Sequence, residues 1–367
     1  MTQDSSFFYV GIDAHKDALA VAVLPEHADD PEAVRTLPND PTAIRRFFRR
    51  LRQRGDASAT YEAGCLGFVL YRQLTKLGID CVVAAPGLIP VRPGDRRKTD
   101  RLDAIKLARD LRARELTPVR VPTVETEALR ALTRTRDAMR KDVVRMRHRI
   151  LKFTLLRGKA FREGQNWTNA HLRWLRQLDL GLDEDRRTLD FLFDELQHRC
   201  HSKDLLDERI RRRGQEEDLR QDVRALRAYR GVGDLTAVSV IAEIGDPRRF
   251  RHANQVASYC GLIPSERSSG QQIRKGGITH AGNAYLRRLL VECSQHYGRP
   301  YGSGRALAAR RAEAPGRAVA WARKAEKRLK ARFRSLAARK HRNVAKTAIA
   351  RELAGFLWAT LHPHMQP

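Results

Sequence analysis

Tyr9-Val10-Gly11-Ile12-Asp13-Ala14-His15-Lys16 is the stretch from which the rest of the chain is read. A β-branched, apolar run delivers one aspartate where the run ends and a turn begins, before a second run from Ala18 to Leu24. An aspartate at a strand end is ordinarily a turn former, and it is also a carboxylate that a metal ion can share. Two later stretches carry further carboxylates: Ala59-Thr60-Tyr61-Glu62-Ala63-Gly64 and Lys98-Thr99-Asp100-Arg101-Leu102-Asp103-Ala104. His15 and Lys16 either tune such a site or belong to a solvated turn.

Outward from Asp13, strand patterns fall at Phe7 to Asp13, Ala18 to Leu24 and Ala33 to Leu37. Pro41 opens a helix through Arg54 with Ile44, Phe47, Phe48 and Leu51 on one face. A strand at Ser58 to Glu62, a helix at Leu66 to Leu77 and a strand at Asp80 to Ala84 follow, which together make an α/β domain with a mixed sheet. Ala85 to Lys98 is a basic loop rich in proline, glycine and arginine. Thr99 then caps a helix to about Arg114, with Asp100 and Asp103 on its first turn. That pair either favours the helix dipole or, with Asp13 and Glu62, converges on divalent cations that clamp a phosphodiester.

Composition supplies the partner. The 367 residues carry a formal net charge of +28, from 71 Lys and Arg against 43 Asp and Glu, so the expected partner is a polyanion. A hydrophobic content of 42% excludes a wholly disordered chain. Cys65, Cys81, Cys200, Cys260 and Cys293 are odd in number and form no Cys-x-x-Cys pair, which argues against a zinc knuckle or a disulfide framework and fits a reducing cytoplasm. No apolar run reaches membrane-spanning length, and Met1 to Phe8 lacks the features of an export signal, so no membrane partner is expected.

The middle is helical. Leu129, Leu132, Met139, Val143, Met146, Ile150 and Phe153 recur at nearly heptad spacing between Pro122 and Ala160, and a second run from Asp185 to Arg213 carries Leu189, Leu192, Leu196, Leu206 and Ile210. Trp167 and Trp174 lie in the connection. The pair is either an intramolecular hairpin or a coiled-coil arm that joins protomers. Farther on, Leu226 to Ala237 reads as two helices joined by Gly231-Val232-Gly233, a turn that points amides at a phosphate or simply caps a helix corner. Gly261-Leu262-Ile263-Pro264-Ser265-Glu266-Arg267-Ser268-Ser269-Gly270 precedes Arg274, Lys275 and His280; serines among such cations form either a phosphate-binding turn or a nucleophile's surroundings. A basic run reaches Arg342, broken at Pro315-Gly316, and Val344 to Leu361 closes the chain as an amphipathic helix.

Gly11-Ile12-Asp13, Glu62-Ala63, Lys98-Thr99-Asp100 with Asp103-Ala104, the Gly-Leu-x-Pro and Ser-Ser-Gly block, Gly282-Asn283 and Leu286-Arg287-Arg288 follow one another in an order that resembles the transposases of the bacterial insertion sequence 110 family, also called DEDD transposases and bridge-RNA-guided serine recombinases. The resemblance covers the chain from Val10 to the last helix. It implies a RuvC-like domain of the RNase H fold at residues 1–120, a coiled-coil arm at 121–222, a mainly helical transposase domain at 223–330 with a segment like a helix-hairpin-helix, and a basic segment with the last helix at 331–367. Asp13, Glu62, Asp100 and Asp103 would then hold Mg²⁺ or Mn²⁺, and Ser269 would attack a DNA phosphate. Double-stranded donor and target DNA, a structured non-coding guide RNA and further copies of the chain, as a dimer or tetramer, are the implied partners, in a bacterial cytoplasm at the nucleoid. Nucleic-acid contacts fall to Arg92, Arg96, Arg97, Lys98, Gly231, Gly233, Arg267, Arg274, Lys275, Arg287 and Arg288. The alternatives are a RuvC-like junction nuclease that needs the carboxylates alone and a non-catalytic DNA- or RNA-binding protein.

Overall fold

In the computed structural model, which describes residues 6–90, 99–266, 272, 274–299 and 304–367, the run around Asp13 is β1 (Ser6–Ala14), the middle strand of five. The chain divides into two units, Met1–Pro122 and Thr123–Pro367.

In the first unit, β1 pairs antiparallel with β2 (Ala18–Pro25), and β2 antiparallel with β3 (Ala33–Pro38). After α1 (Pro41–Arg52), β4 (Gly55–Glu62) lies parallel to β1; after α2 (Val69–Lys76), β5 (Asp80–Ala84) lies parallel to β4. The order β3-β2-β1-β4-β5, three antiparallel strands and two parallel additions, is that of an RNase H-like sheet. Strand alternation sorts the faces. Phe8, Val10 and Ile12 join Leu19, Val21, Val23, Ala59 and Tyr61 in one core with Ile44, Phe48 and Leu51 of α1. The opposite face carries small residues, Ala20 and Ala22, against Ala104 of α3 (Asp100–Arg112). Asp40 caps α1 by accepting from Thr42 and Ala43, with Pro41 at the first turn as its fixed φ favours. Helix α2 starts three residues later than Leu66, because the Tyr61 hydroxyl donates to the Gly67 carbonyl at 3.0 Å and holds that segment as a turn.

The second unit opens with α4 (Val124–Leu156), whose 33 residues span about 50 Å. With α5 (Asn169–Gln177) at its far end, it pairs antiparallel with α6 (Asp183–Arg213): Arg136 meets Asp207 and Arg157 meets Asp185. The apolar seam is not continuous. Val143, Met146 and Ile150 pack with Leu175, Leu189, Phe193 and Leu196, whereas Leu129 joins a separate core nearer the C-terminus. Between them Thr133, Asp137 and Asp207 are buried, so ion pairs replace leucine contacts and fix the register of the two helices.

That second core gathers α7 (Glu217–Arg227), α8 (Asp234–Ile244), α9 (Ala253–Tyr259), α10 (Ala284–Ser294), α12 (Gly316–Ala337) and α13 (Arg342–Leu361), with α11 (Arg305–Ala312) alongside. Between α9 and α10 runs a two-stranded hairpin, β6 (Pro264–Glu266) with β7 (Lys275–Ile278). The basic run before Arg342 contains a full helix, α12, because Trp321, Ala325, Leu329 and Phe333 recur every four residues and bury one stripe beneath the charges. Helix α13 is buried over most of its circumference rather than on one face, through Ala345, Ile349, Ala350, Leu353, Leu357 and Trp358.

Candidate active site

Ile12 and Tyr61 are partners across the parallel β1–β4 ladder, so Asp13 and Glu62 follow side by side at the ends of neighbouring strands. Alternation then sends both toward the face that α3 covers, since Ile12 and Tyr61 belong to the opposite core. Helix α3 reaches the same place from its N-terminus. Asp100, Asp103, Ala104, Leu107 and Ala108 share its sheet-facing stripe by their three- and four-residue spacing, with the Thr99 hydroxyl accepting from Leu102 at 3.3 Å to start the helix. Gly11 permits the approach: a Cβ there would stand 2.0 Å from the Ala104 carbonyl oxygen and 2.4 Å from the Ala108 nitrogen.

Asp13, His15 and Asp100 come together. The Nε2 of His15 lies 3.2 Å from Asp13 Oδ2 and 3.5 Å from Asp100 Oδ1, and one ligand atom from each of the three falls within 4.8 Å of the others. The turn that carries His15 is pinned from both sides. His15 N–H donates to the Ala18 carbonyl at 2.9 Å, and Asn39 Nδ2 donates to the His15 carbonyl at 2.8 Å. Two carboxylates with an imidazole, reachable from solvent, suit Mg²⁺ through oxygen or Mn²⁺ through oxygen and nitrogen. Glu62, exposed, and Asp103, half-buried, stand on the adjoining strand end and helix turn, outside that group of three. His15 thus sits closer to the two aspartates than its place in a turn suggested; the sequence signal was only its spacing of two from Asp13.

The remaining residues divide by setting. Arg92, Arg96, Arg97, Lys98, Arg267 and Ser269 lie outside the described residues. Gly231 has φ +81° and a Cβ there would meet the Cys293 carbonyl at 2.8 Å, so the turn between α7 and α8 packs on α10; Gly233 opens α8 with no side-chain cap. Arg274 is exposed and donates to Gln272 at 3.1 Å, and Lys275 begins β7. Arg287 donates to the Cys260 carbonyl at 2.8 Å, and Arg288 meets Asp137 at 2.7 Å and Glu292 at 2.6 Å, so both brace α10.

One residue that the sequence did not single out organises this region. Glu243, fully buried on α8, receives Arg134 through two bonds of 2.7 and 2.8 Å and Asn283 Nδ2 at 2.6 Å. Asn283 Oδ1 in turn caps α10 by accepting from Leu286 at 2.9 Å. A lone glutamate inside an apolar helix was the available signal.

Sequence comparison agrees with this architecture. Residues 10–157 match a DEDD transposase profile of the insertion sequence 110 type, and residues 223–300 match the profile described as "Transposase IS116/IS110/IS902 family". The chain belongs to that family of insertion-sequence transposases, whose DEDD domain makes it a DNA-acting enzyme that uses divalent metal. It is 39% identical over 357 residues to a Sinorhizobium fredii protein named "Putative transposase y4qE", covering 96% of this chain and 87% of that one. It is 31% identical over 334 residues to the transposase for insertion sequence element IS1533 of Leptospira borgpetersenii, covering 89% and 96%. A third relative, the pilin gene-inverting protein of Moraxella bovis, is 28% identical over 199 residues, 54% of this chain and 52% of that protein. No helix among the described residues is long and apolar enough to cross a membrane.

Proposed function

We propose that this transposase cuts and rejoins DNA through a covalent phosphoserine at Ser269, with Asp13, Glu62, Asp100 and Asp103 as its metal-binding carboxylates. The observation that carries the metal half is the meeting of Asp13 and Asp100, far apart in sequence, with His15 between them. A bound divalent ion would supply positive charge for the phosphate oxygens on which negative charge builds. Asp13 and Asp100 would hold it, Glu62 and Asp103 would complete or orient the shell, and His15 would either ligate or steady the aspartates.

In the covalent step the Ser269 oxygen bonds to phosphorus and loses its proton, while one P–O bond to deoxyribose breaks and the departing oxygen takes up a proton. A hydroxyl of the exchanging strand then reverses the step on the phosphoserine. Two phosphodiester bonds break and two form, so no nucleotide hydrolysis is required. A relative named for inverting a gene supports rejoining over hydrolysis, since inversion leaves no free ends. The net charge of +28 favours phosphate contact without base reading, through Arg92, Arg96, Arg97, Lys98, Arg267, Arg274, Lys275 and the turn at Gly231 and Gly233, with Arg287 and Arg288 holding α10 in place. Sequence choice would come from a non-coding bridge RNA that pairs donor and target DNA, within a dimer or tetramer.

The test incubates the protein with Mg²⁺, RNA transcribed from the element's non-coding flank, and DNA bearing the element ends and the target. A protease-sensitive DNA adduct that vanishes in Ser269→Ala supports the serine. Cleavage with no adduct would leave a metal-dependent junction nuclease, and salt-sensitive binding with no covalent change to the DNA would leave a binding protein.

A further inference from the structure

We propose that a cleft of about 960 Å³ in the C-terminal unit receives one nucleotide that has left its base stack. The β6–β7 hairpin and α9 form one wall, and α12 with α13 form the other. The proposal needs only a DNA-acting transposase, not the serine reading.

The chemistry of the lining selects the ligand. Leu262, Ile278, Trp321 and Phe356 give an apolar and partly aromatic interior. Arg328, Arg332 and Arg351 also line the cleft, against one carboxylate, Glu352. Arg328 Nε meets Glu352 at 2.7 Å and Arg332 shares the same carboxylate, so the opening stays positive and the outer nitrogens of two exposed guanidinium forks remain for an oxyanion. A ligand that is anionic at one end and flat and apolar in its body answers both features. A nucleotide extruded from a strand has that form, and the substrate of this enzyme class contains it. An acidic peptide would satisfy the arginines but not the flat interior. The hairpin strands also bracket residues 267–274 in sequence, so a nucleotide held here would lie beside the ends of the segment that contains Ser269.

The experiment uses the full chain and three probes carrying 5-iodouracil: a single-stranded DNA, a single-stranded RNA of the same sequence, and the blunt DNA duplex. After irradiation and digestion, mass spectrometry should find adducts on peptides containing Trp321 or Phe356 with an unpaired strand, at least about tenfold above the duplex. Adduct with the DNA probe assigns the nucleotide to substrate DNA, and adduct with the RNA probe alone assigns it to RNA. Ala348→Trp, which fills the cleft, and Arg351→Gln, which weakens its opening while leaving the core intact, should each lower that adduct about tenfold. Ser269→Ala should leave it unchanged, which separates this proposal from the serine reading. Adducts elsewhere on the chain with none on α12 or α13, or an adduct indifferent to both cleft variants, would overturn it.

Discussion

The Ala104 carbonyl oxygen of α3 occupies the space where a side chain of Gly11 would begin, 2.0 Å from the ideal Cβ position. This contact sets the height of α3 over the sheet two residues before Asp13 and four residues after Asp100, and it therefore sets the separation of the two carboxylates.

Gly11→Ala should accordingly lift α3 and part Asp13 from Asp100. We expect a loss of about 2–3 kcal/mol in unfolding free energy of the first unit, measured by urea titration, together with loss of metal-dependent activity. Wild-type stability in this variant would mean that α3 tolerates displacement and that the site is not held by this contact.

Asp13→Asn and Asp100→Asn each remove a charged oxygen donor, while His15→Ala removes the imidazole between them. Calorimetric titration with Mn²⁺ should show little binding in either aspartate variant and roughly 10–100-fold weakening in His15→Ala. Unchanged Mn²⁺ affinity in all three would sink the assignment of this cluster as the metal site.

Glu243 and Asn283 should behave as a unit. Glu243→Ala strands the Arg134 guanidinium and frees Asn283 Nδ2 from its charged partner, at about 2–4 kcal/mol; the half-exposed Arg134 keeps the cost toward the lower end. Asn283→Ala removes the cap of α10 for about 1 kcal/mol besides. A double-mutant cycle should return a coupling of about 1 kcal/mol or more, and strict additivity would show that the 2.6 Å contact carries no energy.

Glu326 provides the pH test. Burial works to raise its pKa, but hydrogen bonds from Lys330, Arg311 and Arg230 prevail and bring it from the usual 4.5 to about 2. Because the folded value is depressed, the stabilisation is complete above pH 4.5 and drains away as pH falls toward 2, on the order of 3 kcal/mol in all. Denaturant midpoints of the second unit should fall across that window in wild type and fall less steeply in Glu326→Gln. Parallel curves would assign the acid sensitivity to other carboxylates.

Much of the first unit was legible because its signals are local. Alternating runs ended at turns, Pro41 and Thr99 announced helix starts, and the carboxylates at 13, 62, 100 and 103 stood at element ends where strand and helix periods could be counted. Less of the second unit was legible. The leucine spacing of α4 concealed a polar middle at Thr133 and Asp137, because periodicity reports a buried stripe and not what fills it. The density of lysine and arginine before Arg342 masked the four-residue repeat of α12.

By itself the sequence determined most of the strands, helices and turns of the first unit, and which carboxylates and serines are of a kind to do chemistry on a phosphodiester, since these follow from side-chain type and spacing along one chain. Only the tertiary structure decided that His15 joins Asp13 and Asp100, that Glu243 bridges Arg134 and Asn283, and that an arginine-rimmed cleft opens between the hairpin and the last helices. These are contacts between segments as much as 109 residues apart, fixed by sheet register, by a missing Cβ and by the packing of one helix on another. No local pattern in the chain encodes them.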